Sequence, residues 1–133
     1  MYDCDVGLLG ALAGVPAEAV QSDLSILTEY QGAFIENYVA QHLAVMTGMP
    51  LHYWKNVGRD AEVDFLIQQG SLVLPLEAKS GMNVRGKSLA FYAAKYQPSV
   101  SVRTSLRNLK LDARVLNVPL YALQSLPRLL TLA

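Results

Sequence analysis

The chain has 133 residues, 52% of them hydrophobic and 17% charged, with eleven basic and eleven acidic side chains and a formal net charge of zero. That length suits one domain with a sizeable core, and the apolar fraction excludes a disordered tail. A single cysteine, Cys4, excludes an internal disulfide. The longest apolar run, Leu8 to Val15, falls well short of the roughly 20 residues of a membrane span. No charged-then-apolar leader opens the sequence, so a soluble cytoplasmic protein without a membrane partner is expected.

The zero net charge conceals an asymmetry. Residues 1–78 carry ten acids and two bases, hence −8, whereas residues 79–133 carry nine bases and one acid, Asp112, hence +8. An acid-rich half can hold a divalent cation and a basic half a polyanion such as nucleic acid. Equally, two such halves can neutralise each other within one globule.

In chain order, Asp5 is a plausible N-cap for a helix over Val6 to Ala13, with Gly14 as its stop. Pro16 to Gln21 reads as a short helix with proline in its first turn. A longer helix is predicted from about Tyr30 to Thr47. There Ile35, Val39, Leu43 and Met46 recur at helical spacing, and Gly48 and Pro50 end the run. The period then changes. Leu51 to Asn56 reads as a strand, and Val63, Phe65 and Ile67 alternate with Glu62, Asp64 and Leu66 in a second. Gln69-Gly70 signals a hairpin into a third strand, Leu72 to Ser80. Pro75 sits awkwardly there, because proline cannot donate to a ladder. A loop over Gly81 to Gly86 leads to an amphipathic helix, Lys87 to Tyr96, ended by Pro98. Val100 to Thr104 is a short strand, Ala113 to Leu120 another candidate, and Ser125 to Leu130 a last helical turn or two. The expected class is α/β, helices on a mixed sheet, with an extra N-terminal helical segment. Residues 1–29 form a helical lead-in, the tail of an upstream region, and residues 30–133 the main domain.

Four residues stand out for chemistry: Glu36, Asp64, Glu77 and Lys79. Strand period two sets Glu77 and Lys79 on one face and Ala78 on the other. A two-residue turn at Gln69-Gly70 places Asp64 opposite Pro75 and diagonal to Glu77, roughly 7–8 Å away on the same face. A register shift of two would set them directly opposite, while a shift of one would separate them. Glu36 lies beside the apolar stripe of the long helix, where an acid is costly unless paired, protonated or metal-bound. Such a set suits metal-assisted phosphodiester hydrolysis. Glu36, Asp64, Glu77 and the Ala78 carbonyl would hold Mg²⁺ or Mn²⁺, with Lys79 beside the attacking water. Taken singly, Glu77 and Lys79 equally suit a same-face salt bridge, and Asp64 and Glu36 ordinary surface acids.

The series Glu36, Asp64, Glu77-Ala78-Lys79 resembles the PD-(D/E)xK nuclease superfamily, and within it the archaeal Holliday junction resolvase branch. Several segments resemble more closely a domain of unknown function that follows the ATPase core of prokaryotic AAA-type ATPases. They are Tyr2 to Leu9, Gly32 to Ala40, Tyr53-Trp54, Glu62 to Ile67 and Leu76 to Gly81, and the likeness covers most of residues 2–105. It implies a restriction-endonuclease-like αβββαβ core, in which proline before E-x-K is usual. It also implies an ATPase and a winged-helix segment upstream in a longer chain. No G-x-x-x-x-G-K-[ST] run occurs, so this segment is no ATPase by itself. The function expected is a DNA endonuclease or resolvase module, paired as a homodimer in resolvases of this class. The alternative is a non-catalytic module that binds DNA or a protein partner and regulates its ATPase.

Arg85, Lys87, Ser88 and Lys95, after E-x-K, are candidates for phosphate contact or simply a solvated face. His42, His52 and Cys4 lack partners at zinc spacing and are read as structural. Tyr53, Trp54, Phe65 and Tyr92 read as core rather than base-stacking platforms.

Overall fold

The computed structural model describes residues 5–16, 26–48, 50–58, 60–81 and 86–132, with side chains described from residue 31 in the second stretch. Beyond Pro16, the short helix expected up to Gln21 lies outside them. In chain order the elements are α1 (Val6–Leu12), α2 (Ile26–Thr47), β1 (His52–Lys55), β2 (Glu62–Gln69), β3 (Leu72–Ala78), α3 (Lys87–Tyr96), β4 (Ser101–Ser105), β5 (Lys110–Asp112), β6 (Val115–Pro119), a 3₁₀ turn (Leu120–Ser125) and α4 (Leu126–Leu130). Asp5 caps α1 by accepting from the Leu8 N–H at 3.0 Å, and Gly14 leaves it at φ 68°. The long helix begins at Ile26, one turn before the position the sequence suggests, and Gly48 at φ 60° ends it.

The strands form one mixed sheet in the order β1-β2-β3-β4-β6-β5. β1, β2 and β3 are antiparallel neighbours, whereas β3, β4 and β6 run parallel. α3 supplies the crossover that a parallel β3–β4 pair needs. Pro75 is buried opposite Leu66, yet the ladder to β4 starts only at Leu76, so its missing N–H breaks no rung.

On one side of the sheet, Val39, Ala40 and Leu43 of α2 pack with Phe65, Ile67, Leu74, Leu76, Ala78, Val102, Leu116 and Val118; Leu123 and Leu126 close the cluster. These are the alternate strand residues that period two aligns on one face. Burying each larger side chain is worth about 1.5–3 kcal/mol, so this cluster dominates the fold's stability. α3 contacts β2 and β3. Trp54 of β1 meets Tyr92 of α3 edge-on at 5.2 Å between ring centres, and its indole N–H donates to the Tyr96 hydroxyl at 3.2 Å. Among the described residues, no helix is long and apolar enough to cross a membrane.

Candidate functional site

The β2–β3 hairpin sets the site. Gln69 pairs with Leu72 and Phe65 with Leu76, so the turn centres on Gly70-Ser71, with Gly70 at φ 61°. This is two residues from the register that a Gln69-Gly70 turn predicts. Gly70 takes the left-handed conformation that glycine tolerates, and the turn closes around it. Continuing the observed register by one residue sets Asp64 level with Glu77 rather than diagonal to it. A shift of two preserves the face, so the two acids stay neighbours.

At Asp64 the two strands part, and the side chain replaces the ladder. One Asp64 carboxylate oxygen accepts from the Ala78 N–H at 2.8 Å. A strand residue directs its own N–H and C=O to the same flank, so the Ala78 carbonyl points toward Asp64 as well. On the other flank the Lys79 N–H donates to the Thr104 carbonyl at 2.9 Å, which fixes E-x-K to β4. Glu77 is buried, its side chain only 5% exposed. Its Oε1 lies 3.0 Å from Lys79 Nζ and its Oε2 3.8 Å from Arg103 Nε. The second separation suits an ion pair but not a hydrogen bond. Glu77 Oε2 and Arg103 Nε accordingly have no hydrogen-bond partner among the described residues.

The carboxyl group of Asp64 is pushed up to about 6, chiefly by burial. The Ala78 N–H opposes that shift, the charges of Glu36 and Glu77 add to it, and Lys79 opposes it. Half-buried Glu36 is raised for the same leading reason, with Glu62 adding to the shift and Lys79 opposing it. Glu36, Asp64, Glu77 and Lys79 therefore share one electrostatic neighbourhood, although they come from three elements.

Whether this neighbourhood fits a divalent cation turns on donors and geometry. Carboxylate and carbonyl oxygens are the hard donors that Mg²⁺ prefers. Glu77 Oε2 is buried without a hydrogen bond, and burial disfavours the ionised forms of Asp64 and Glu36, a cost that a nearby cation would relieve. As they stand, however, no three of the described His, Cys, Asp and Glu side chains close around one point. The donor chemistry fits, and the ligand set is open.

Two residues that the sequence reading passed over belong to the site. Arg103, counted there only as a charge, is the cross-strand partner of Glu77, and its side chain is 15% exposed. A lone cation within the buried strand Ser101–Ser105 was the available signal, since such a charge needs a counter-ion. Gly86, at the start of α3, is the second. A Cβ there would collide with Glu77 Oε2 and come within 3.0 Å of an Arg103 guanidinium nitrogen, so the Gly86 backbone lies directly against the ion pair.

The candidate phosphate contacts are less uniform. Lys87 is exposed. The Ser88 hydroxyl accepts from the Glu62 N–H at 3.3 Å, tying α3 to β2. Lys95 lies over the Trp54 and Tyr96 rings at 5.7 and 5.1 Å. Arg85 lies outside the described residues. The His42 ring stacks on Tyr38 and is within 2.9 Å of the Tyr38 carbonyl.

The fold and this cluster define an α/β domain with a carboxylate–lysine centre where β2 and β3 part. A family model described as a domain of unknown function, DUF4143, matches residues 31–123. The chain belongs to that family. Searches of curated proteins and of solved structures return no match.

Proposed function

We propose that the centre hydrolyses phosphodiester bonds in DNA with the help of a divalent cation, in the manner of the PD-(D/E)xK nucleases that its residues resemble. The hydrogen bond from Ala78 to Asp64 carries this reading. It holds one acid of β2 against the E-x-K of β3 and turns the intervening carbonyl to the same place. Asp64, Glu77, the Ala78 carbonyl and Glu36 are the groups to hold Mg²⁺ or Mn²⁺. When bound, the ion lowers the pKa of a water molecule and neutralises charge on the phosphate. Lys79 then faces the developing charge on phosphorus, while Glu77 keeps the ammonium in place. Water attacks phosphorus, the bridging P–O bond breaks, and the departing oxygen takes up a proton.

A second reading is favoured by one observation, the pairing of Glu77 with both Lys79 and Arg103. A carboxylate already matched by two cations suits a non-catalytic module that binds DNA or a protein and regulates an attached ATPase. Calorimetric titration with Mg²⁺ and Mn²⁺ separates the two readings, with Asp64→Asn and Glu77→Gln beside the parent. Hydrolysis requires metal binding that both substitutions abolish, together with cleavage of linear or branched DNA. Metal binding that survives both substitutions ends the catalytic reading. Salt-sensitive DNA binding without cleavage supports the module.

A further inference from the structure

Within the strand Ser101–Ser105, Arg103 is the one residue that is not buried. Val102 and Thr104 on either side of it are wholly buried. The Lys79 N–H donates to the Thr104 carbonyl at 2.9 Å, so the Arg103 backbone is fixed level with Glu77. Its side chain is less confined. It lines a cavity of about 590 Å³ between the sheet and the β4–β5 loop, which gives the guanidinium room to move.

The two oxygens of Glu77 are held differently. Oε1 lies 3.0 Å from Lys79 Nζ, a hydrogen-bonding separation. Oε2 lies 3.8 Å from Arg103 Nε, and both atoms are buried without a hydrogen bond. Oε2 also sits against the Gly86 backbone at the start of α3, whose N-terminus has no side-chain cap and no acid in its first turn. The partial positive charge of a helix N-terminus favours a carboxylate there. Oε2 is thus held by charge rather than by directed bonds, and such a contact gives up less on exchange than a charge-assisted hydrogen bond does. A divalent cation offers the same oxygen twice the charge.

We infer that Arg103 is a positioning residue that competes with a divalent cation for Glu77 Oε2, so that this ion pair sets the affinity of the acid centre for its metal. The inference rests on the metal-dependent reading proposed above and assigns the two oxygens separate tasks. Oε1 keeps Lys79 in place, and Oε2 is the oxygen exchanged between guanidinium and cation. The pairing of Glu77 with two cations then regulates the centre instead of closing it.

The test is calorimetry of the full chain with Mg²⁺ and with Mn²⁺ at fixed pH. Arg103→Gln and Arg103→Met remove the competing charge. They should bind each ion about tenfold more tightly, since one unit charge in a poorly screened site is worth at least that. Arg103→Lys keeps the charge and should stay close to the parent, as should Arg128→Gln, an exposed base on α4. In chelator the two neutral variants should melt below the parent, because Glu77 loses a counter-ion. Mn²⁺ should then raise their Tm by more than it raises the parent's. A second measurement needs no Arg103 variant to fold. The NMR signal of the Arg103 Nε–H should shift as Mg²⁺ saturates the parent and should stay put in Asp64→Asn. Tighter binding in Arg103→Lys equal to that in Arg103→Gln overturns the inference, as does an Arg103 signal indifferent to Mg²⁺. So does a loss of roughly ten- to a hundredfold in the neutral variants, the usual effect of removing a partner that orients a ligand. Metal binding that Asp64→Asn abolishes but that neither neutral variant alters leaves the hydrolytic reading standing and removes the competition. Absence of metal binding from the parent and both neutral variants removes both.

Discussion

Replacing Asp64 by asparagine should make the protein more stable, although it removes a proposed metal ligand. The carboxyl group moves from an ordinary 3.8 in the unfolded chain to about 6 in the fold. Between those values the folded state binds the proton more tightly than the unfolded state does. The associated stability is therefore complete below pH 3.8 and is lost as pH rises through about 6. At 1.36 kcal/mol for each tenfold change in acidity, the ionised acid costs the fold about 3 kcal/mol at neutral pH. Partial contact with water reduces this to about 2 kcal/mol. Asparagine is neutral at every pH and still accepts from the Ala78 N–H. Its bond is weaker than the charged one by about 1 kcal/mol. The net expectation at pH 7.5, with chelator present, is a gain of about 1 kcal/mol, which should vanish or reverse by pH 4. Urea denaturation at half-unit steps from pH 4 to pH 8 reads both quantities, provided the m-value is unchanged. A variant less stable than the parent at pH 7.5, or a difference that does not vary with pH, would refute the reasoning.

Gly86→Ala should cost about 1–3 kcal/mol, because the new methyl group must displace Glu77 or shift the start of α3; thermal unfolding reads the loss, and unchanged stability would mean that the surroundings of Gly86 yield freely. Asn117→Ala strips partners from buried Ser105 and from two loop carbonyls, and should cost about 1–3 kcal/mol with faster amide exchange in residues 106–109. Gln97 ends α3 at φ 48°, a left-handed cap position, so Gln97→Gly should stabilise the fold by about 0.5–1 kcal/mol in denaturant titrations.

Periodicity made most of this architecture readable. Val39 and Leu43 at helical spacing, and Phe65 and Ile67 at strand spacing, are buried as their patterns require. Period two also placed Asp64 and Glu77 on one face, and that relation survived a register slip of two. The slip arose because Gln69-Gly70 looks like a complete two-residue turn, whereas the chain uses Gly70 with Ser71. β5 was invisible for a related reason. Its hairpin to β6 turns through Ala113 at φ 51°, where glycine or asparagine would have announced the turn, and all three of its residues are exposed. Arg103 and Gly86 were missed because their roles depend on which strand lies beside β3. Local pattern carries no information about a parallel neighbour reached through a helical crossover.

The chain contains one tryptophan, Trp54. Its ring is wedged among Tyr92, Tyr96 and Lys95 of the helix that begins just after Gly86. Its emission is therefore a built-in gauge of whether that helix is seated. Spectral change upon adding cation or oligonucleotide would register movement of the roof over Glu77 without any attached dye.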